Sequence, residues 1–262
     1  MCEAPILRIK DLKTYFYTKN GVVKAVDGVN LTAERGRITA VIGGSGSGKS
    51  VMSMSIMNLV EKPGRIVGGE IWFGGRNLRT LGEREMRNIR GKDIAMVFQE
   101  PTSAMNPVMK VKDHLFEAVH IHDGKLRMKD KLSDFREVLR RVGFGDPDKV
   151  LESFPFELSG GMCQRIMVAM GIVTKAKLLI ADEPTSSLDL TTQAAILEEL
   201  IRLKEAGMSI ILITHDLGVV AQTADDMYVI KDGKIIESGT VCDVFASPRH
   251  EYTRYLMTPI LP

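Results

Sequence analysis

The sequence predicts an α/β protein built on a mostly parallel sheet covered on both faces, and three observations carry that expectation. Strand-like runs alternate with helical patterns between residues 38 and 230, the order expected of a parallel sheet wrapped by helices. Two of those runs, Leu178 to Ala181 and Ser209 to Thr214, are almost continuously apolar, as strands buried on both sides are. Between the β-branched run Ile38 to Ile42 and the Met-rich segment Val51 to Val60 lies Gly43-Gly44-Ser45-Gly46-Ser47-Gly48-Lys49-Ser50, which reads as strand, phosphate loop, helix. Its pattern, G-x-x-x-x-G-K-[ST], arises by accident in a chain this long only about once in a hundred.

The chain as a whole bounds the reading. Its 262 residues are 44% hydrophobic, enough to bury a full core. The net charge of +2, from 35 basic and 33 acidic residues, gives no strongly basic field and argues against nucleic acid as the main partner. Three scattered cysteines, Cys2, Cys163 and Cys242, suit neither a disulfide framework nor a zinc ribbon and fit a reducing compartment. No run approaches the roughly 18 apolar residues of a membrane span, and no basic-then-apolar leader opens the chain. A protein of this kind is expected to serve a membrane only from the cytoplasmic side.

Taken in order, the first forty residues hold short β-like runs: Ile6 to Ile9, Thr14 to Tyr17, Val22 to Val26 and Val29 to Thr32. Asn20-Gly21 is a hairpin signal. Of Tyr15, Phe16 and Tyr17, two are expected to pack on a strand face, leaving one to stack on a base. Strands are further expected over Gly69 to Phe73, ended by Gly74-Gly75, and over Asp93 to Phe98, stopped at Gln99-Glu100-Pro101. From Val111 to Val142 the pattern turns charged and helical, with Leu132, Phe135, Val138, Leu139 and Val142 at helical spacing. His114, His120 and His122 lie in this inserted segment. His-x-His does not share a helix face, so a solvated or core role is expected rather than a metal site. A small-residue turn at Ser159-Gly160-Gly161 opens the next helix. Leu190 to Ala206 forms another, closed by Gly207.

In sheets of this type ligands gather at the carboxyl ends of the strands, where Gly43, Gln99, Asp182, Glu183 and His215 all arrive. Glycines let the loop backbone aim its amides at a phosphate chain, at the positive end of the helix beginning near Lys49. Lys49 is expected to reach the β- and γ-phosphates. Ser50 suits a Mg²⁺ ligand, with Asp182 anchoring the ion and Gln99 touching both ion and water. Glu183 is placed to polarise the attacking water, with a turn role before Pro184 as the bland alternative. His215 is expected to bond a γ-phosphate oxygen. Ser159-Gly160-Gly161 offers a second anion-friendly helix start. One nucleotide needs no second cradle, so it is expected to meet the γ-phosphate held by another subunit.

With these residues in place the chain resembles the ATP-binding subunits of ABC transporters over nearly its whole length. The five elements that carry the resemblance stand in the family's order: Gly43 to Ser50 as Walker A, Gln99 as Q-loop, Leu158 to Gln164 as signature, Leu178 to Glu183 as Walker B, and His215 as switch histidine. The resemblance implies a RecA-like P-loop NTPase core with an N-terminal antiparallel β subdomain, covering 1–98 and 166–262, and an inserted helical subdomain over 99–165. It implies Phe16 as the adenine-stacking aromatic, with Tyr17 second, and Ser187 to Asp189 as the D-loop.

Finer resemblance is to subunits that energise peptide and nickel importers, through Val97 to Pro101, Met105-Asn106-Pro107, Met162 and the tail His250-Glu251-Tyr252-Thr253. Gly44, where many relatives carry Glu, leans towards the nickel or metal-chelate branch. The implied partners are a second, different ATPase subunit or a second copy, two membrane permeases and a substrate-binding protein, with ATP and Mg²⁺ as cofactors and no iron–sulfur cluster. The rival class is an ABC-type ATPase acting on nucleic acid or ribosomes. Cys163 stands where such chains commonly have Arg, in the first turn of the signature helix, where a lowered thiol pKa is expected, with a buried, inert small hydrophobe as the bland alternative.

Overall fold

The computed structural model describes residues 4–100, 104–186 and 188–258, and the chain divides into two compact units. Elements are numbered along the whole chain. The first unit, residues 1–86 and 209–262, contains an antiparallel sheet in the order β2-β1-β4-β5. Strands β1 (Leu7–Thr18) and β2 (Gly21–Ala33) form a hairpin across Lys19-Asn20, with Thr18 opposite Gly21. The four short runs expected here are thus two long strands. Their polar interruptions are absorbed as bulges: the register shifts between Ile9 and Leu12, where Asp11 takes a φ of 46° and donates its N–H to Asn30 Oδ1. Strand β4 (Gly64–Phe73) begins five residues earlier than expected, because it pairs with β1 from Phe16 opposite Gly64 to Leu7 opposite Phe73. Gly74-Gly75, both at positive φ, turn it into β5 (Arg76–Asn77), and α2 (Glu83–Ile89) follows.

The same unit holds the parallel strands that carry the phosphate loop. Strand β3 (Ile38–Ile42) lies between β8 (Ser209–Thr214) and β9 (Asp226–Lys231), parallel to both. Strand β10 (Lys234–Thr240) pairs antiparallel outside β9. Every residue of β3 and β8 is buried, which is why β3 reads as a β-branched run and β8 as an almost continuously apolar one. Helices α1 (Lys49–Ile56), α8 (Leu217–Thr223), α9 (Val241–Ala246) and α10 (Glu251–Met257) complete the unit. Ala40, Ile42, Val220, Met227, Val229, Val244 and Met257 share one buried cluster.

The second unit spans residues 87–208. Strands β6 (Ile94–Val97) and β7 (Leu178–Asp182) run parallel with Val97 opposite Ala181. Its helices are α3 (Val111–His120), α4 (Leu132–Arg141), α5 (Pro147–Glu152), α6 (Gly160–Val173) and α7 (Leu190–Glu205). Of the stripe read from the sequence, Phe135, Val138, Leu139 and Val142 are buried and Leu132 is half-buried, and α3 and α4 pack on α6. The units part at residues 86/87 and 208/209. Helix α6 is continuous through residue 165 and β6 pairs with β7, so strands and helices of this stretch cohere as one body. Among the described residues no helix is long and apolar enough to cross a membrane.

Candidate nucleotide site

The phosphate loop is shaped by close packing within the first unit. A Cβ on Gly43 would lie 2.3 Å from the Ile230 carbonyl oxygen, and one on Gly48, at φ 105°, 2.1 Å from that of Ala25. The Ser47 carbonyl accepts the Gly233 N–H at 3.0 Å, and the Gly233 carbonyl accepts the Asp27 N–H at 2.8 Å. The end of the loop is therefore clamped between β2 and the β9–β10 turn. At its start, the Gly44 N–H donates to Tyr252 Oη in α10 at 2.9 Å, and the Lys231 ammonium sits over the Tyr252 ring. Between these anchors Ser45 and Gly46 are exposed, and a Cβ on Gly46 would meet nothing within 4 Å.

Polar groups of this loop fit an anion. Lys49 is buried and its ammonium donates to the carbonyls of Gly43 and Gly44 at 2.8 and 2.9 Å, which holds a positive charge across the loop. The buried Ser47 hydroxyl has no hydrogen-bond partner among the described residues. Ser50 follows in the first turn of α1, whose positive end faces the loop. His215 leaves β8 one residue after Thr214, which lies opposite Ile42, so His215 and Gly43 emerge side by side from neighbouring parallel strands. Asp216 is committed elsewhere: its carboxylate caps α8 by accepting the N–H groups of Gly218 and Val219.

Of the three aromatic candidates, Tyr15 donates to Asp27 at 2.5 Å and carries Lys24 over its ring; that hydrogen bond, with burial, pushes the phenol up to about 12. Tyr17 is exposed beneath Arg65. Phe16 is half-buried over Gly64, where an added Cβ would approach its ring to 2.7 Å.

In the second unit, β6 and β7 end together, delivering Gln99 to an exposed bend and Asp182 and Glu183 to buried positions. Glu183 stands at φ 51°, in the left-handed region, a conformation that costs a residue with a Cβ roughly 1–2 kcal/mol. Its carbonyl accepts Gln164 Nε2 at 3.3 Å, Ser186 Oγ at 3.2 Å and the Ser186 N–H at 3.4 Å. Ser159 and Gly160 are exposed at the start of α6, with Gly161 half-buried. The Ser159 oxygen accepts the Met162 N–H at 3.3 Å as an N-cap, which leaves the hydroxyl hydrogen to donate. Asp189 caps α7 through Thr192. Ser187 lies outside the described residues.

A family model described as ABC transporter matches residues 26–186. The chain belongs to that family. It is an ATP-hydrolysing ABC cassette. Among its curated relatives, a probable peptide ABC transporter ATP-binding protein, y4tR of Sinorhizobium fredii, is 45% identical over 257 residues, 97% of this chain and 76% of that protein. The oligopeptide transport ATP-binding protein OppD of Bacillus subtilis is 47% identical over 250 residues, 95% of this chain and 70% of that protein. The dipeptide transport ATP-binding protein DppD of Haemophilus influenzae is 43% identical over 255 residues, 96% and 76% of the two chains. The dimeric ATP-binding cassette MJ0796 bound to ADP and Pi matches in fold at a TM-score of 0.83 and 24% identity, over 90% of this chain and 98% of that one.

Two features of this ABC cassette correct or extend the sequence reading. Cys163 does not carry an activated thiol: it is fully buried, donates to the Pro155 carbonyl at 3.6 Å, and burial raises its pKa. Its side chain points inward from the first turn, and desolvation outweighs the helix dipole. His114 is buried with its Nε2 paired to the Asn106 carbonyl, and His120 stacks on Phe116. Nothing local to Tyr252 or Gln164 in the sequence marks it as a partner of Gly44 or Glu183, because both contacts join segments distant in sequence.

Proposed function

We propose that this chain is the ATPase subunit of a peptide importer, working at the cytoplasmic face of the membrane on two permease subunits supplied by a substrate-binding protein. The observation that carries it is the peptide-transport naming of relatives 43–47% identical over at least 95% of the chain. Nickel or metal-chelate uptake is the rival cargo, favoured by Gly44 alone. An added Cβ there would lie 2.9 Å from Tyr252 Oη, so a Glu at this position would have to displace that hydroxyl.

In this reading Gly43, Gly44, Ser45, Gly46, Ser47, Gly48, Lys49 and Ser50 hold the phosphates of ATP and Phe16 stacks on its base. Ser50, Asp182 and Gln99 offer the hard oxygens that suit Mg²⁺, the remainder of its shell being phosphate and water. Bound there, the ion neutralises charge on the phosphates. Glu183 accepts a hydrogen of the attacking water, and His215 bonds the γ-phosphate. Ser159, Gly160 and Gly161 engage the nucleotide of the other ATPase subunit, most simply a different one as in related importers, so that ATP joins the pair. Expression with the permeases, binding protein and second ATPase in vesicles tests the cargo. ATP-dependent accumulation of a labelled oligopeptide is expected; accumulation of nickel without peptide would refute the assignment.

A further inference from the structure

Gln164 is wholly buried in the first turns of α6, and only half of its amide is used. Its Nε2 donates to the Glu183 carbonyl at 3.3 Å, while its Oε1 is buried without a partner among the described residues. The acceptor is a carbonyl, so the orientation of the amide is fixed by chemistry. An orphaned buried oxygen weakens the fold, and an apolar side chain of similar shape would serve stability at least as well. The place where the amide is spent is a residue held at φ 51°, and such strain persists only where surrounding contacts over-determine it.

We propose that Gln164 is a positioning residue for ATP hydrolysis: it pins the strained backbone of Glu183 and thereby ties the Ser159-Gly160-Gly161 helix start to this chain's own water-polarising carboxylate. Ser186, through its N–H and hydroxyl, tethers that carbonyl to the turn that follows it, and Ser186 is itself exposed. Gln164 adds a tether from a packed helix. An amide in α6 therefore transmits any shift of the helix start to Glu183 within one chain. The inference rests on the role given to Glu183 above.

The test uses the assembled transporter carrying Gln164→Leu, alone and with Glu183→Gln. Gln164→Leu should lower kcat by about 10–10², with ATP affinity unchanged and the melting temperature unchanged or raised. In the Glu183→Gln background it should cause no further loss in the single-turnover rate, because the group it positions is already disabled. A folded Gln164→Leu variant within twofold of the wild-type kcat overturns the inference, as does an equal loss in both backgrounds. Gln164→Met is the second variant if Leu does not fold, and failure of both to fold also overturns it. Wild-type turnover by Glu183→Gln itself would instead refute the assignment of Glu183, whereas a dead Glu183→Gln beside an active Gln164→Leu refutes only the positioning role.

Discussion

Two glycines of the phosphate loop are expected to respond to the same substitution very differently. In Gly48→Ala the new methyl would sit 2.1 Å from the Ala25 carbonyl oxygen, about 1 Å inside any normal contact, at a φ of 105° that a residue with a Cβ rarely adopts. Overpacking of this kind costs about 1–3 kcal/mol and a left-handed backbone roughly 1–2 kcal/mol more. Relief requires the backbone to move, because the obstacle is a strand carbonyl rather than a flexible side chain, and the loop that cradles the phosphates moves with it. Gly46→Ala meets open space and carries only the backbone term, at φ 73°. Thermal unfolding with and without ATP separates the two: Gly48→Ala should melt on the order of 10 °C lower and lose the stabilisation by ATP, while Gly46→Ala should fall by a few degrees and keep it. Equal melting temperatures and equal ATP affinities for the two variants would show that the β2 contact does not set the loop.

Lys49→Ala removes the ammonium held by Gly43 and Gly44, so ATP affinity measured by calorimetry should fall together with turnover; unchanged affinity would count against its place at the phosphates. Glu183→Gln keeps volume and reach but loses charge, and kcat should drop by about 10²–10⁴ with little change in affinity. That variant should then accumulate as an ATP-bound pair with its partner ATPase, and adding Ser159→Arg should disperse it on size-exclusion chromatography; a pair that survives would remove Ser159 from the contact. In a Cys2→Ser chain, exposed Cys242 should react with a thiol reagent at neutral pH while Cys163 reacts only after unfolding. Burial raises the Cys163 pKa, so its thiolate fraction at neutral pH falls below that of an ordinary thiol. Fast labelling of native Cys163 would overturn its buried placement.

What the sequence determined by itself was everything written in local pattern. The buried strands β3, β7 and β8, the glycine loop between β3 and α1, the helices opening at Ser159-Gly160-Gly161 and at Leu190, and the arrival of Gln99, Asp182, Glu183 and His215 at strand ends follow from apolar runs and turn residues a few positions apart. Tertiary structure alone decided the rest. That β1 and β2 run on through bulges, that α6 belongs with β6 and β7 in one unit, and that Cys163 faces inward depend on which surfaces meet, not on neighbouring residues. The same holds for the contacts that shape the site: Gly48 against Ala25, Gly44 with Tyr252, Glu183 with Gln164. Each joins residues 19 to 208 positions apart in the chain. A motif fixes residue type and spacing, but the partner of a distant backbone group is chosen only when packing closes the intervening loop and desolvates both.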